Sequence, residues 1–276
     1  MLVELCDRAV IADWCRRDAA VQAYLLGDLD DFFWPHTQWF GWETGGELDH
    51  VALLYTEPVV PVLLAFGRDP SPGRVALVRA VVERLPERFY AHLAHDAFEA
   101  LGDLVEVESG PELHLKLALT DEHQLRALAL ETPGNGLLQG AARPLRLGSA
   151  DLEEVTQFYA AAYPGSWFEP RMLETGCYVG VRASERLVCV AGVHVYSPAY
   201  RVAALGNVAT LPEGRGLGLA TFACAVLCRD LLDDGIETIS LNVQADNTAA
   251  RTAYERLGFS AVAEYVEASV SRRAHP

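Results

Sequence analysis

From Val202 to Ala220 an extended apolar run breaks into glycines and restarts as an apolar helix. The run Val202–Thr210 leads into Leu211-Pro212-Glu213-Gly214-Arg215-Gly216-Leu217-Gly218, and the helical pattern continues from Leu219-Ala220. Glycines at such a junction let the chain turn sharply and leave backbone N–H groups uncovered. The first N–H groups of the following helix have no intrahelical partners and sit at the positive end of its dipole. A corner of this kind accepts phosphate or pyrophosphate. A second strand pattern, Thr238–Val243, and a second helix, Asn247–Leu257, follow at once. That order demands a βαβ crossover and therefore a sheet with at least one parallel pair.

The 276 residues suffice for two domains of ordinary size, and with 51% of them hydrophobic a sizeable core is available. A formal charge of −16 argues against nucleic acid and anionic membrane surfaces, which call for clustered cations. No apolar run reaches the roughly 18 to 20 residues that span a bilayer. The start, Met1–Asp7, carries acids where a secretory signal carries lysine or arginine, so the expected location is cytoplasmic. The six cysteines form no CxxC pair. Cys224 and Cys228 share one face of a helix that is apolar nearly all round, which reads as core thiols, and no metal is expected.

Turn formers at Thr132-Pro133-Gly134-Asn135-Gly136, with the small residues Gly140-Ala141-Ala142, divide the chain into 1–135 and 141–276. In the second part the pattern predicts a strand at Arg143–Leu147 and a helix at Leu152–Tyr163 with Ser149 as its N-cap. A short helix follows near Pro170–Thr175, then strands at Tyr178–Arg182, Leu187–Tyr196 and Arg201–Thr210. Helix Gly216–Asp233 precedes the strand and helix already named, and an extended run, Ala261–Ser271, comes last. The first part repeats this rhythm. Helices are expected at Arg8–Arg17 and Ala19–Phe32 and strands at Gln38–Trp42, His50–Tyr55 and Val59–Phe66. A helix fits Gly73–Leu85, with strands at Phe89–Leu93 and Glu112–Leu119. Its corner, Gly67-Arg68-Asp69-Pro70-Ser71-Pro72-Gly73, has two prolines without N–H donors and lacks the paired glycines. A duplication whose first copy has lost its phosphate corner accounts for both halves.

Two segments together carry a resemblance. Gly206-Asn207-Val208-Ala209-Thr210 runs into the glycine turn through Ala220. Further on comes Leu241-Asn242-Val243-Gln244-Ala245-Asp246-Asn247-Thr248-Ala249-Ala250-Arg251-Thr252-Ala253-Tyr254-Glu255-Arg256-Leu257-Gly258-Phe259. In order and spacing the second part resembles the GNAT superfamily of N-acetyltransferases; the first part resembles a degenerate companion domain of tandem members. The resemblance implies an α+β fold of two tandem GNAT-like domains, each a mixed, mostly antiparallel twisted sheet flanked by helices. It implies acetyl-CoA, or another acyl-CoA, as cofactor, and a small-molecule amine as acceptor.

By the same resemblance, Val208, Ala209 and Thr210 pair through their backbone with the pantetheine arm. Arg215, Gly216, Leu217, Gly218, Leu219 and Ala220 cradle the pyrophosphate with backbone N–H groups. Glu213 departs from the family's Gln or Arg; a carboxylate repels phosphate, so this side chain is expected to point away. Tyr254 matches the tyrosine that protonates the leaving thiolate, and a phenol with an ordinary pKa near 10 suits that donation. A packing role against the sheet is the other reading. Asn247 is a cofactor contact or simply a helix N-cap.

An attacking amine must shed a proton, and His194, in the strand Val188–Tyr196, is the candidate base; a packed core or rim histidine is the alternative. Glu169 and Asn242 are further candidates. The aromatic loop Tyr163-Pro164-Gly165-Ser166-Trp167-Phe168 borders the acceptor pocket or seals the two halves. Two rival functions remain. A nucleotide oxidoreductase needs an acid at the end of the next strand, whereas Glu237 begins it. A non-catalytic acyl-CoA-binding module is opposed only by Tyr254 and His194.

Overall fold

The structure is a computed structural model, and it describes residues 1–128, 143–183 and 186–273. In chain order the elements are β1 (Leu2–Leu5), α1 (Arg8–Cys15), α2 (Ala19–Gly27), β2 (Thr37–Thr44), β3 (Glu47–Tyr55), β4 (Val62–Ala65), α3 (Pro72–Val82), β5 (Arg88–Leu93), α4 (His95–Glu99) and β6 (Val105–Leu119). They continue with α5 (Glu122–Leu128), β7 (Arg143–Leu147), α6 (Leu152–Ala162), β8 (Tyr178–Ala183), β9 (Arg186–Ser197), β10 (Val202–Thr210), α7 (Leu219–Asp233), β11 (Thr238–Gln244), α8 (Thr248–Arg256) and β12 (Phe259–Arg272).

The described chain divides into two compact units. The first comprises Met1–Leu117, Val243–Asp246 and the residues from Ala261 on; the second comprises Ala118–Asn242 and Asn247–Ser260. The linker expected at 132–136 and 140–142, and the boundary between 135 and 141, lie outside the described residues.

In the second unit the strand order is β11-β10-β9-β8-β7. Among the described residues of this unit only β10 and β11 run parallel; β7, β8 and β9 form the antiparallel meander that the strand spacing predicts. Helix α7 covers this sheet with a nearly all-apolar surface in which Leu219, Phe222, Cys224, Leu227, Cys228 and Leu231 are buried. Cys224 and Cys228 are core thiols, and burial pushes both sulfhydryls far above their ordinary pKa.

In the first unit the order is β1-β2-β3-β4-β5-β12-β6, with β4 and β5 parallel. Alternation along β5 sends Phe89, Ala91 and Leu93 into a core shared with Leu77, Val78 and Val81 of α3 and with Ala268 and Val270 of β12. The other face of β5 carries Tyr90 and His92 toward a polar interior. There Glu267 of β12 receives the hydroxyls of Tyr265 (2.5 Å) and Tyr90 (3.1 Å), with His92 and His114 each 3.6 Å away. The Lys116 ammonium is fully buried, 3.8 Å over the Phe66 ring and 4.6 Å over Tyr24.

Several local expectations differ from the structure. The helix expected from Gly216 starts at Leu219, because Gly216 and Gly218 take left-handed backbone, and the strand expected at Val59–Phe66 covers only Val62–Ala65. The helix expected to reach Phe32 stops at Gly27, with Asp28 as its C-cap. Acids at Asp28, Asp30 and Asp31 oppose the negative end of a helix dipole, and the Asp30 carboxylate instead accepts the Phe32 N–H in a turn. Ser149 is not a cap: it opens a 3-10 turn, Ser149–Asp151, and the Asp151 carboxylate accepts the Gly148 N–H at 2.9 Å. Strand β6 begins at Val105, well before Glu112, through exposed acids that hide its pattern.

Candidate functional site

The parallel pairing of β10 and β11 runs from Val202↔Thr238 to Leu205↔Leu241, yet β10 continues to Thr210. From Gly206 on, its described pairing is with β9 alone. A strand edge turned away from its neighbour is where an extended ligand adds as a surrogate strand. Val208, Ala209 and Thr210 lie on this stretch.

Within it the register with β9 shifts. Gly206 faces Gly192 and Ala209 faces Val190, so Asn207 and Val208 share Ala191 as a partner. This is a β-bulge, and Asn207 sits in the left-handed region at φ 54. Asparagine tolerates that conformation better than other side chains with a Cβ.

The chain then turns through Pro212–Gly214 into the glycine corner. Gly216 and Gly218 have φ of 74 and 77, and a Cβ added to either meets nothing within 4 Å. Left-handed backbone explains why glycine is needed, and no protein atom fills the space beside either glycine just before the first turn of α7. The corner is braced from behind. The Leu211 N–H donates to the Val188 carbonyl (2.9 Å), and Arg215 donates to the carbonyls of Thr210 (3.2 Å) and Ala162 (3.4 Å). Glu213 turns to Arg186, with oxygen and nitrogen 2.7 Å apart.

Helix α8 packs against α7. Asn247 caps it, its carboxamide oxygen accepting the Ala250 N–H at 3.1 Å. Tyr254, half-buried on the same helix, lies edge-on to Phe259 with ring centroids 6.0 Å apart. His194 belongs to β9 and lies across β10: a Cβ on Gly206 falls 2.3 Å from its ring, so only glycine admits the imidazole there. Trp167 meets that ring at 5.5 Å, and the Trp167 indole N–H donates to Glu169 (3.1 Å), whose other oxygen takes Arg171 (2.9 Å). Phe168 packs between Tyr159 and Tyr178.

The structure thus places Val208–Thr210 and Arg215–Ala220 along β10 and its corner, His194 on the adjacent β9, and Asn247 and Tyr254 at the start of and within α8, which packs on α7. Sequence reasoning missed the groups that hold the bulge. The Tyr159 hydroxyl donates to the Asn207 carbonyl (2.6 Å), and the Asn207 amide donates to the Tyr178 hydroxyl (3.0 Å) and faces the Met172 sulfur (3.4 Å). The available signal was Gly206-Asn207, two turn-forming residues inside an apolar strand.

Residues 149–259 match the acetyltransferase (GNAT) family. A mycothiol acetyltransferase of Streptomyces coelicolor is 30% identical over 246 residues, covering 78% of this chain and 74% of that relative. The chain belongs to the GNAT family. A mycothiol acetyltransferase of Tsukamurella paurometabola is 35% identical over 97 residues; there the match covers 34% of this chain and spans only 33% of the relative's length. Among solved structures, a tandem GNAT protein from the clavulanic acid biosynthesis pathway shares the fold, with a TM-score of 0.59 and 14% identity over 100% of this chain and 99% of that one. No helix among the described residues is long and apolar enough to cross a membrane.

Proposed function

We infer that this GNAT chain transfers an acetyl group from acetyl-CoA to a primary amine of a small molecule, using the strand, corner and helix of its second domain. The observation that carries the reading is the continuity of two features. A strand edge free of β11 from Gly206 leads directly into a left-handed glycine corner with open space above it. Pantetheine fits the first and pyrophosphate the second.

When bound, the thioester supplies the acyl group. The backbone of Val208–Thr210 holds the arm in line, and the corner from Arg215 to Ala220 binds the pyrophosphate through N–H groups. Fixed donors of this kind would hold the thioester for direct attack, and the Asn207–Val208 backbone would offer its N–H to the thioester carbonyl oxygen. Tyr254 delivers a proton to the departing thiolate, and His194, beside Trp167, takes one from the amine directly or through water. Asn247 adds a cofactor contact beyond its capping role. In the first domain the corner before α3 is occupied by the protein's own Arg74 and Asp96. The names of the curated relatives make mycothiol lacking its acetyl group one member of the amine panel to be tried.

Tyr254→Phe tests the mechanism. CoA affinity is expected to stay within about twofold while kcat falls roughly 100-fold, the usual scale for a lost general acid. An unchanged turnover rate across the pH range removes Tyr254 as the acid. Stoichiometric acetyl-CoA binding without transfer to any amine in the panel returns the chain to a non-catalytic binding module.

A further inference from the structure

A bulge that presents a backbone N–H to a reacting carbonyl is only as good as the grip on its peptide plane. Asn207, whose carbonyl lies in the plane shared with the Val208 N–H, is held from two separate elements, once at that carbonyl and once at its side chain. Tyr159, on α6, donates its hydroxyl to the Asn207 carbonyl oxygen at 2.6 Å, in a buried setting. Tyr178, on β8, accepts the Asn207 side-chain amide at 3.0 Å and donates its own hydroxyl to the Val193 carbonyl of β9 at 3.2 Å. The asparagine is thereby tied through its main chain to one tyrosine and through its side chain to another. Both phenols are buried, and burial pushes their pKa well up, so both remain protonated donors.

In a trans peptide the C=O and the following N–H are coplanar and point in opposite directions. A carbonyl of Asn207 drawn toward Tyr159 therefore turns the N–H of Val208 the opposite way. We propose that Tyr159 and Tyr178 are positioning residues that aim the Val208 N–H at the carbonyl of the bound thioester. The inference rests on the acetyl-CoA reading above and adds the groups that set its oxyanion donor. Apolar packing alone needs the two rings and not their hydroxyls; phenylalanine fills the same space. The hydroxyls matter because a left-handed asparagine in a strand has other conformations to relax into once either anchor is gone.

Tyr159→Phe and Tyr178→Phe remove one anchor each and keep the ring. For both, CoA affinity is expected within about twofold of wild type, while kcat with acetyl-CoA falls about tenfold or more. That is less than the 100- to 1000-fold that follows deletion of an oxyanion donor, because the N–H is misaimed and still present. A second readout needs no turnover. In 15N-valine-labelled protein, the Val208 amide resonance is expected to differ between the CoA-bound and acetyl-CoA-bound forms, and Tyr159→Phe is expected to shrink that difference.

Three results overturn the proposal. One is an unchanged kcat in folded variants. Another is a parallel loss of kcat, CoA affinity and thermal stability, the mark of a merely structural role. The third is a Val208 response in Tyr159→Phe equal to wild type. Failure of the transfer reading looks different: wild type releases no CoA with any amine, while the Val208 amide still decides whether the clamp exists.

Discussion

The two units answer the same structural question in opposite ways. Each has a parallel strand pair whose first member runs through a corner into a helix: β4 into α3, and β10 into α7. In the first unit the corner is filled from within. The Arg74 side chain, 4% exposed, grips Asp96 through Nε (3.1 Å) and Nη2 (2.7 and 2.9 Å) and donates to the Asp69 carbonyl (2.6 Å). Asp96 in turn accepts the N–H of Ser71, the residue just before α3, at 2.7 Å. A Cβ on Gly67 falls 1.9 Å from the guanidinium. Thus the protein's own carboxylate sits where an external anion would bind, and Pro72 deletes a first-turn donor. In the second unit Gly216 and Gly218 leave the equivalent space open. What separates the corners is that one holds a carboxylate of the protein itself and the other is left open by its glycines.

Removing the built-in anion is expected to have the largest effect on the first corner. Asp96→Ala strands the Arg74 charge in a site with almost no water. Breaking a buried pair this way costs about 3–5 kcal/mol, read by urea unfolding of the first unit. A loss below about 1 kcal/mol contradicts the picture of an internally satisfied corner.

A smaller effect sharpens the contrast between the interiors. The first unit buries ionisable groups: burial pushes Asp28 up to about 8 and Lys116 down to about 7. The folded state keeps the Asp28 proton while the unfolded chain releases it near pH 4. Stability from this group is therefore full below pH 4 and is lost as pH rises toward 8. Lys116 has the opposite sign, adding stability only as pH rises above about 7. Between pH 4 and 7, Asp28→Asn is expected to remove a decline on the order of a few kcal/mol, measured by denaturation at both pH values. An identical pH slope in wild type and variant contradicts it.

Much of the second unit was legible because its signals are local. The glycines around Gly216 and Gly218 mark a turn, the apolar period up to Asp233 marks a helix whose expected start falls three residues early, and Asn247 marks a cap. Each depends on neighbours a few residues away. The Asn207 clamp was hidden because its partners, Tyr159 and Tyr178, lie 48 and 29 residues from it, and a tyrosine in an apolar run reads as core. The filled corner of the first unit was half legible. Pro70 and Pro72 showed that donors were lost, but nothing local joined Arg74 to Asp96, 22 residues on. The placement of the last strand was also unreadable. β12 follows α8 in sequence, yet Ala268 and Val270 complete the core of the first unit, a pairing that apolar alternation does not encode.

In the function proposed above, a single acyl-CoA corner among the described residues is built from Gly216 and Gly218. Isothermal titration with acetyl-CoA, on wild type and on Gly218→Glu, tests it most directly. The substitution forces a side chain into left-handed backbone and puts a carboxylate where phosphate is expected. One equivalent is expected to bind to wild type, with affinity weakened about 100-fold or more, roughly 3 kcal/mol, in the variant. Two equivalents in wild type, or undiminished binding to folded Gly218→Glu, contradict it.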